Sequence, residues 1–386
     1  MWGENMREVV IIEGCRTAVG KRKGALANYR SDELLADVLE ALVQRASIEK
    51  DMVEDVIIGS VTQIGEQAMN VARTASLMAG FPTTVPGVTI DRQCGSSQQA
   101  VHFAAQAIMA GDMDVVIAGG VESMTRAPMF QNIGETKHSE RLLEKHRIVN
   151  QGISAELIAE KWKLSREQLD TFSVKSHEKA LHAIKGRKFS DEIIPIELED
   201  GTIFKVDEGP RENSSVEALA NLQAVFQEDG KVTAGNASQM SDGASAVLLM
   251  SREKAEQLGL RPRAKIVART VVGSDPTLML TGPIAATKDV LERSNLTMDE
   301  IDLYEVNEAF ASVPLAWLQE IDDAKEEKLN VNGGAIALGH PLGATGTKLL
   351  VTLLHELERR EGKYGLLAIC EGMGMANATI IERLDY

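Results

Sequence analysis

The chain has 386 residues, enough for two or three domains around a large core. With 44% hydrophobic and 25% charged residues it has the composition of a soluble globular protein, and its net charge of −16 speaks against nucleic-acid binding, which needs a basic face. No apolar run nears the ~20 residues that span a bilayer, Met1 to Arg7 lacks the apolar stretch of a secretory signal, and three cysteines make no disulfide framework but suit reduced thiols in a cytoplasmic setting.

Strand-like sequence opens at Glu8, which leaves Met6 as an alternative start. Glu8-Val9-Val10-Ile11-Ile12 leads into Cys15-Arg16-Thr17-Ala18-Val19-Gly20. Asp55-Val56-Ile57-Ile58-Gly59 reads as a buried strand. Val88-Thr89-Ile90 runs into Asp91-Arg92-Gln93-Cys94-Gly95-Ser96-Ser97, followed by a helix from Gln98 to Met109. Asp114-Val115-Val116-Ile117-Ala118 is a strand that stops at Gly119-Gly120. Met124 to Gln239 is rich in charge, with helical patterns over 155–162 and 165–185, the second opened by the capping box Ser165-Arg166-Glu167-Gln168. Thr233 to Ser238 and then Asp242-Gly243-Ala244 read as a small-residue loop, either a tight turn or a bed for a long ligand.

The remaining elements repeat the first ones in order. Ala264-Lys265-Ile266-Val267-Ala268 leads into Arg269-Thr270-Val271-Val272-Gly273, again Arg-Thr-x-Val-Gly. Ile301 to Glu305 matches Asp55 to Gly59. The turn Gly339-His340-Pro341-Leu342-Gly343-Ala344-Thr345-Gly346, with a helix from Thr347 to Leu357, matches the Cys94 turn and its helix. Tyr364 to Cys370 matches Asp114 to Gly120. Two copies of one α/β unit therefore frame the chain. Residues 1–122 with 241–262 form the first, 263–386 the second, and 123–240 an insertion that covers one end. Their equivalent loops carry the unusual residues, so facing copies would bring Cys94, His340 and Cys370 to one site at the strand C-terminal ends.

Each of these residues also has a plain reading. A free cysteine is usually a small buried hydrophobe. Cys94, however, ends a strand at a helix N-terminus, where thiolate is favoured. Local sequence leaves both readings open. His340 is flanked by Gly339 and Pro341 in a glycine-rich turn, which favours a functional role. His102, His138, His146, His177, His182 and His355 lack such surroundings and read as solvated helix or loop residues. Cys370, before Gly372, is either a buried strand-end thiol or part of a ligand loop. Asn307 fits a helix N-cap and a site role alike. No CxxC or HxxxH pair points to zinc or another metal.

Together these motifs resemble the thiolase family over nearly the whole chain. The matching pieces are Cys94-Gly95-Ser96-Ser97, Gly119-Gly120-x-Glu122-Ser123-Met124, Thr233-Ala234-Gly235-Asn236-Ala237-Ser238, Asn307-Glu308-Ala309-Phe310, Gly339-His340-Pro341-Leu342-Gly343 and Cys370-x-Gly372. The resemblance implies a five-layered αβαβα fold of two duplicated halves with an inserted loop domain. It implies acyl transfer between coenzyme A and acetyl-CoA through a cysteine acyl-enzyme, either thiolytic cleavage of 3-ketoacyl-CoA, as in β-oxidation, or condensation to acetoacetyl-CoA. Coenzyme A and acetyl-CoA are then substrates, with no prosthetic group, and the assembly a homodimer or homotetramer.

The resemblance makes Cys94 the nucleophile and His340 its activator and a donor to the thioester oxygen. Asn307 would hold a water in the same oxyanion hole. Cys370 would be the acid/base, and the N–H groups of Cys94 and Gly372 a second oxyanion hole. For coenzyme A it marks Arg211 near the nucleotide, Phe226 and Phe310 beside the pantetheine, and Ala234 and Ser238 along it. Met279 would line the acyl pocket. The chain departs from the family in Met373, which replaces the middle of three glycines, and in Asn150-Gln151-Gly152, where short-chain members read His-Met-Gly. The stretch from Met124 to Gln151 is also shorter than theirs by roughly ten residues, judged by motif spacing. A cysteine-dependent acyl-CoA hydrolase and a non-catalytic CoA-binding protein are the alternatives. Cys370 speaks against the first and the intact set of four residues against the second.

Overall fold

The computed structural model describes residues 7–385; Met6 lies outside them. In the first half β1 (Val9–Thr17), α1 (Ser31–Ala46), β2 (Asp55–Gly59), β3 (Gly87–Ile90), α2 (Ser96–Ala110) and β4 (Val115–Ser123) follow one another. Two long helices of the insertion come next, α3 (Gln151–Lys161) and α4 (Arg166–Lys185), before β5 (Ser241–Ser251) closes the half. The second half contains β6 (Ala264–Gly273), α5 (Gly282–Ser294), β7 (Leu303–Val306), α6 (Thr345–Arg360), β8 (Tyr364–Glu371) and β9 (Met375–Arg383).

The strands lie in the order β7-β8-β9-β6-β1-β5-β4-β2-β3. The two halves share one internal order. In each, the first strand pairs antiparallel with the last, the last with the strand after the central helix, and that one runs parallel to the second strand. Among the described residues the strand ladders of the two halves meet at Val10↔Lys265 and Ile11↔Ala264. The counterpart of β3 is reduced to a parallel bridge between Tyr304 and Leu329.

Side chains alternate across each strand and so separate the layers. On β4, Val115 and Ile117 pack with Leu35 and Leu39 of α1, whereas Val116 and Ala118 face Ala100 and Ala104 of α2. On β8, Leu367 and Ile369 join the same inner cluster as Leu350 and Leu354 of α6, whereas Leu366 and Ala368 pack with Ala286 and Val290 of α5. The result is outer helices, sheet, the α2/α6 pair, sheet, outer helices: the five layers expected.

Because α2 and α6 lie between two sheets, they have little solvent face. This corrects the reading of three histidines as solvated. His102 is buried, with Nε2 2.8 Å from Thr379 Oγ1. His355 is buried with Nδ1 2.9 Å from the Val351 carbonyl, and His177 of α4 accepts a hydrogen bond from Arg211 N–H (3.1 Å). His138, His146 and His182 are exposed. Asp242-Gly243-Ala244 is not a loop but buried strand, paired with Ser123, Glu122 and Val121. For the same reason β4 continues past Gly119-Gly120, since β5 supplies a ladder partner throughout. The Ser165 capping box is present.

Candidate active site

Both central helices begin at the same end of the molecule, and each is preceded by a loop carrying a site residue. Cys94 precedes Gly95, the N-cap of α2. The turn before it is pinned by Ser96, whose hydroxyl accepts from Arg92 N–H (2.8 Å) and donates to the Gln93 carbonyl (2.6 Å). Cys94 is 5% exposed. Burial raises its thiol well above its usual range, and the charges of Cys370 and Glu371 add to the rise. Burial thus works against the thiolate that the helix N-terminus favours.

His340 sits in a loop that enters the first half. A Cβ on Gly120 would lie 2.1 Å from the Gly343 carbonyl oxygen, so only glycine permits this approach. Glu122 secures it. Its buried carboxylate accepts from Val61 N–H (2.9 Å), Thr62 N–H (3.0 Å), Gln67 Nε2 (2.8 Å) and Gly343 N–H (2.9 Å). His340 N–H donates to Ser241 Oγ (3.1 Å), and His340 Nδ1 lies 2.6 Å from Thr345 Oγ1. Burial and then Lys348 lower the imidazole to about 3, so it is neutral at physiological pH.

Asn307 follows β7 and is not an N-cap; the following helix, Ser312–Glu320, is capped at Ala311. Its Nδ2 lies 3.4 Å from His340 Nε2, and its buried Oδ1 has no hydrogen-bond partner among the described residues. The neighbouring Glu308 accepts from Ser176 Oγ (2.7 Å), Asn330 Nδ2 (2.9 Å) and Ile336 N–H (3.2 Å), fastening this loop to the insertion. Cys370 is fully buried at the end of β8, and burial, with Glu371, pushes its thiol up to about 12. Met373 stands in left-handed backbone (φ 67°) and is 40% exposed.

A cavity of about 410 Å³ lies against these loops, lined by Cys94, Gly372, Met279, Leu342, Gln151 and Met373 among others. Cys370, Met279 and Phe310 belong to one buried cluster, against which Phe226 packs. The rings of Phe226 and Phe310 meet edge to face, with centroids 6.0 Å apart. Ser238 N–H donates to the Ala309 carbonyl (2.9 Å), which lays the segment carrying exposed Ala234 beside Phe310. Arg211 is exposed and its N–H donates to His177 Nδ1 (3.1 Å).

Residues 9–253 match the thiolase N-terminal domain and residues 260–383 the thiolase C-terminal domain. The chain belongs to the thiolase family. Among thiolases it is 53% identical to the steroid 3-ketoacyl-CoA thiolase FadA6 of Mycobacterium tuberculosis, covering 99% of this chain and 96% of that one. It is 43% identical to the 3-ketoacyl-CoA thiolase of Bacillus subtilis, over 98% and 100% of the two chains. The crystal structure of the Bacillus anthracis acetyl-CoA acetyltransferase superposes with a TM-score of 0.91, at 41% identity, covering 99% of this chain and 100% of that one. The protein is thus a thiolase, an acyltransferase acting on CoA thioesters. No helix among the described residues is long and apolar enough to cross a membrane.

Sequence reasoning missed the supports of this thiolase site. Thr345 and Glu122 stood inside matched motifs without a role. Gln93 and Glu371, each next to a cysteine, carried no signal until the loops were seen together.

Proposed function

We propose that this thiolase works in the degradative direction, cleaving 3-ketoacyl-CoA with coenzyme A. Cys94 is the nucleophile. Its sulfur attacks the 3-keto carbon while the proton moves to His340 Nε2. The bond between the second and third carbons then breaks. Cys370 supplies the proton that turns the leaving enolate into acetyl-CoA. Coenzyme A next gives its proton to Cys370, and its sulfur takes the acyl group from Cys94. His340 returns its proton to Cys94. The thiol groups are neutral at rest, so each proton transfer accompanies bond making or breaking rather than preceding it.

Oxyanions form in both halves, and oriented donors are the strongest lever on such charge. Protonated His340 Nε2 and a water held by Asn307 serve one. The unsatisfied Asn307 Oδ1 supports that role. Cys94 N–H and Gly372 N–H serve the other. The observation that carries this reading is that Cys94 and Gly372, from opposite halves, line one cavity with Leu342 of the His340 loop, while Asn307 Nδ2 lies 3.4 Å from His340 Nε2. A hydrolase needs no second thiol, so Cys370 favours transfer.

Phe226, Phe310, Ala234 and Ser238 bed the pantetheine, Arg211 meets the nucleotide end, and Met279 bounds the acyl group. Residues 123–240 act as the cover over coenzyme A, between halves formed by 1–122 with 241–262 and by 263–386. A homodimer or homotetramer and a cytoplasmic location complete the proposal; the three free cysteines suit a reducing compartment. The cavity volume and the relative named a steroid thiolase support a bulky acyl group. The test is loss of acetoacetyl-CoA absorbance on adding coenzyme A, repeated with longer and ring-bearing 3-ketoacyl-CoAs. Activity confined to the four-carbon substrate would overturn the bulky-acyl reading, and none at all the thiolytic one.

A further inference from the structure

The cavity beside Cys94 is not lined as a plain hydrocarbon sleeve. Gln93 stands in left-handed backbone (φ 48°), a strained conformation of the kind that clusters at functional sites. Asp91 holds it there. Its Oδ1 accepts from Gln93 N–H (2.7 Å) and from the side-chain Nε2 (3.3 Å). With Nε2 committed to Asp91, Gln93 Oε1 comes within 3.1 Å of the point where a Cβ on Gly372 would sit. Gln151, in the first turn of α3, brings its Nε2 within 3.3 Å of the same point. Asn150 Oδ1 is used to cap the Gly152 N–H (2.8 Å), and the Gln151 amide has no partner among the described residues.

A fixed acceptor and a free donor thus straddle Gly372, in a cavity whose wall also includes apolar Met129, Met279 and Leu342 and polar Asn132 and His138. An alkyl chain laid there would cover Gln93 Oε1 and Gln151 Nε2 with no partner for either, which is costly. A hydroxyl group answers both, because it donates to Gln93 Oε1 and accepts from Gln151 Nε2. We propose that Gln93 and Gln151 form a subsite for a hydroxyl on the acyl chain, so that the preferred substrates are hydroxylated acyl-CoA esters rather than unsubstituted ones. The proposal rests on the thiolase reading of Cys94. A site that hydrogen-bonds a substrate hydroxyl rejects the analogue lacking it far more strongly than an apolar pocket rejects a missing methylene.

The test is acylation of Cys94 followed by intact mass. In that exchange the acyl carbon leaves coenzyme A sulfur for Cys94 sulfur, and the Cys94 proton ends on the coenzyme A thiol. Octanoyl-CoA is compared with its 6-, 7- and 8-hydroxy derivatives. In the unaltered protein the best hydroxylated ester should acylate at least about tenfold faster than octanoyl-CoA. Gln151→Leu and Gln93→Leu should each bring the ratio to within about threefold. Equal rates in the unaltered protein would overturn the subsite. A preference surviving both substitutions would overturn its assignment to these residues. Acetyl-CoA is the control: if it too fails to acylate Cys94, the thiolase reading falls and the subsite falls with it.

Discussion

Thr345 Oγ1 lies 2.6 Å from His340 Nδ1 and donates its own proton to the Pro341 carbonyl (2.9 Å). The hydroxyl proton being spent, its lone pair must accept from Nδ1–H. That leaves the lone pair on Nε2, where Asn307 Nδ2 approaches as a donor. Thr345 therefore fixes the tautomer that can take a proton from a thiol. Thr345→Val should lower kcat by about ten- to a hundredfold, by analogy with other orienting partners of histidine. KM should change little, and Thr345→Ser should restore most of the rate. A Val variant with unchanged kcat would show that the tautomer is set elsewhere.

Cys94 and His340 are neutral together, since burial raises the one and lowers the other. Alkylation of Cys94 by iodoacetamide should therefore climb with pH, without a plateau up to about pH 10, where an unperturbed thiol of pKa about 8.5 would be nearly fully ionised. A plateau near neutrality would instead reveal a thiolate–imidazolium pair at rest.

The fold was largely legible because both sheets are buried on two faces and so read as continuous Val/Ile runs. The repeat then placed Cys94 and His340 on equivalent turns. What escaped was set by tertiary partners. Asp242-Gly243-Ala244 has loop composition, yet β4 on one side makes it strand. His102 has no local signal of burial, because the layer that covers it comes from β9, far along the chain. For Cys94 the helix N-terminus is visible in sequence, whereas the desolvation and the nearby Glu371 that work against a thiolate are not.

Glu122 is the joint between the halves, and its removal should be felt in both stability and activity. Glu122→Ala would strand the Val61, Thr62 and Gly343 N–H groups in a buried site, while Gln67 Nε2 would keep its hydrogen bond to the Thr62 carbonyl (2.8 Å). At 1–3 kcal/mol for a buried unsatisfied group, partly relieved by relaxation, the loss should be about 3–5 kcal/mol in urea unfolding. The His340 loop would also lose its register, so activity should fall even where the protein is folded. A variant as stable as the parent would show that the loop is held by packing alone.

Glu371 carries the clearest pH signature. Its carboxyl is fully buried, close enough to Gly95 that a Cβ there would lie 1.9 Å from Oε1. Asn377, oriented to accept from Gln99 N–H (3.1 Å), donates to Oε1 (3.1 Å), while Oε2 has no partner among the described residues. Burial pushes the group up to about 8 from its ordinary 4.5, although Arg92 opposes the rise. Between those values the folded protein holds a proton that the unfolded chain has released. The contribution of Glu371 is therefore fully present below pH 4.5 and is lost as pH rises through about 8. Glu371→Gln stays neutral throughout. Its stability relative to the parent should grow by about 1.4 kcal/mol per pH unit across that window. Urea unfolding of both proteins at about pH 5, 6.5 and 8 measures the trend. A difference that does not change with pH would mean that the carboxylate is already ionised in the folded protein.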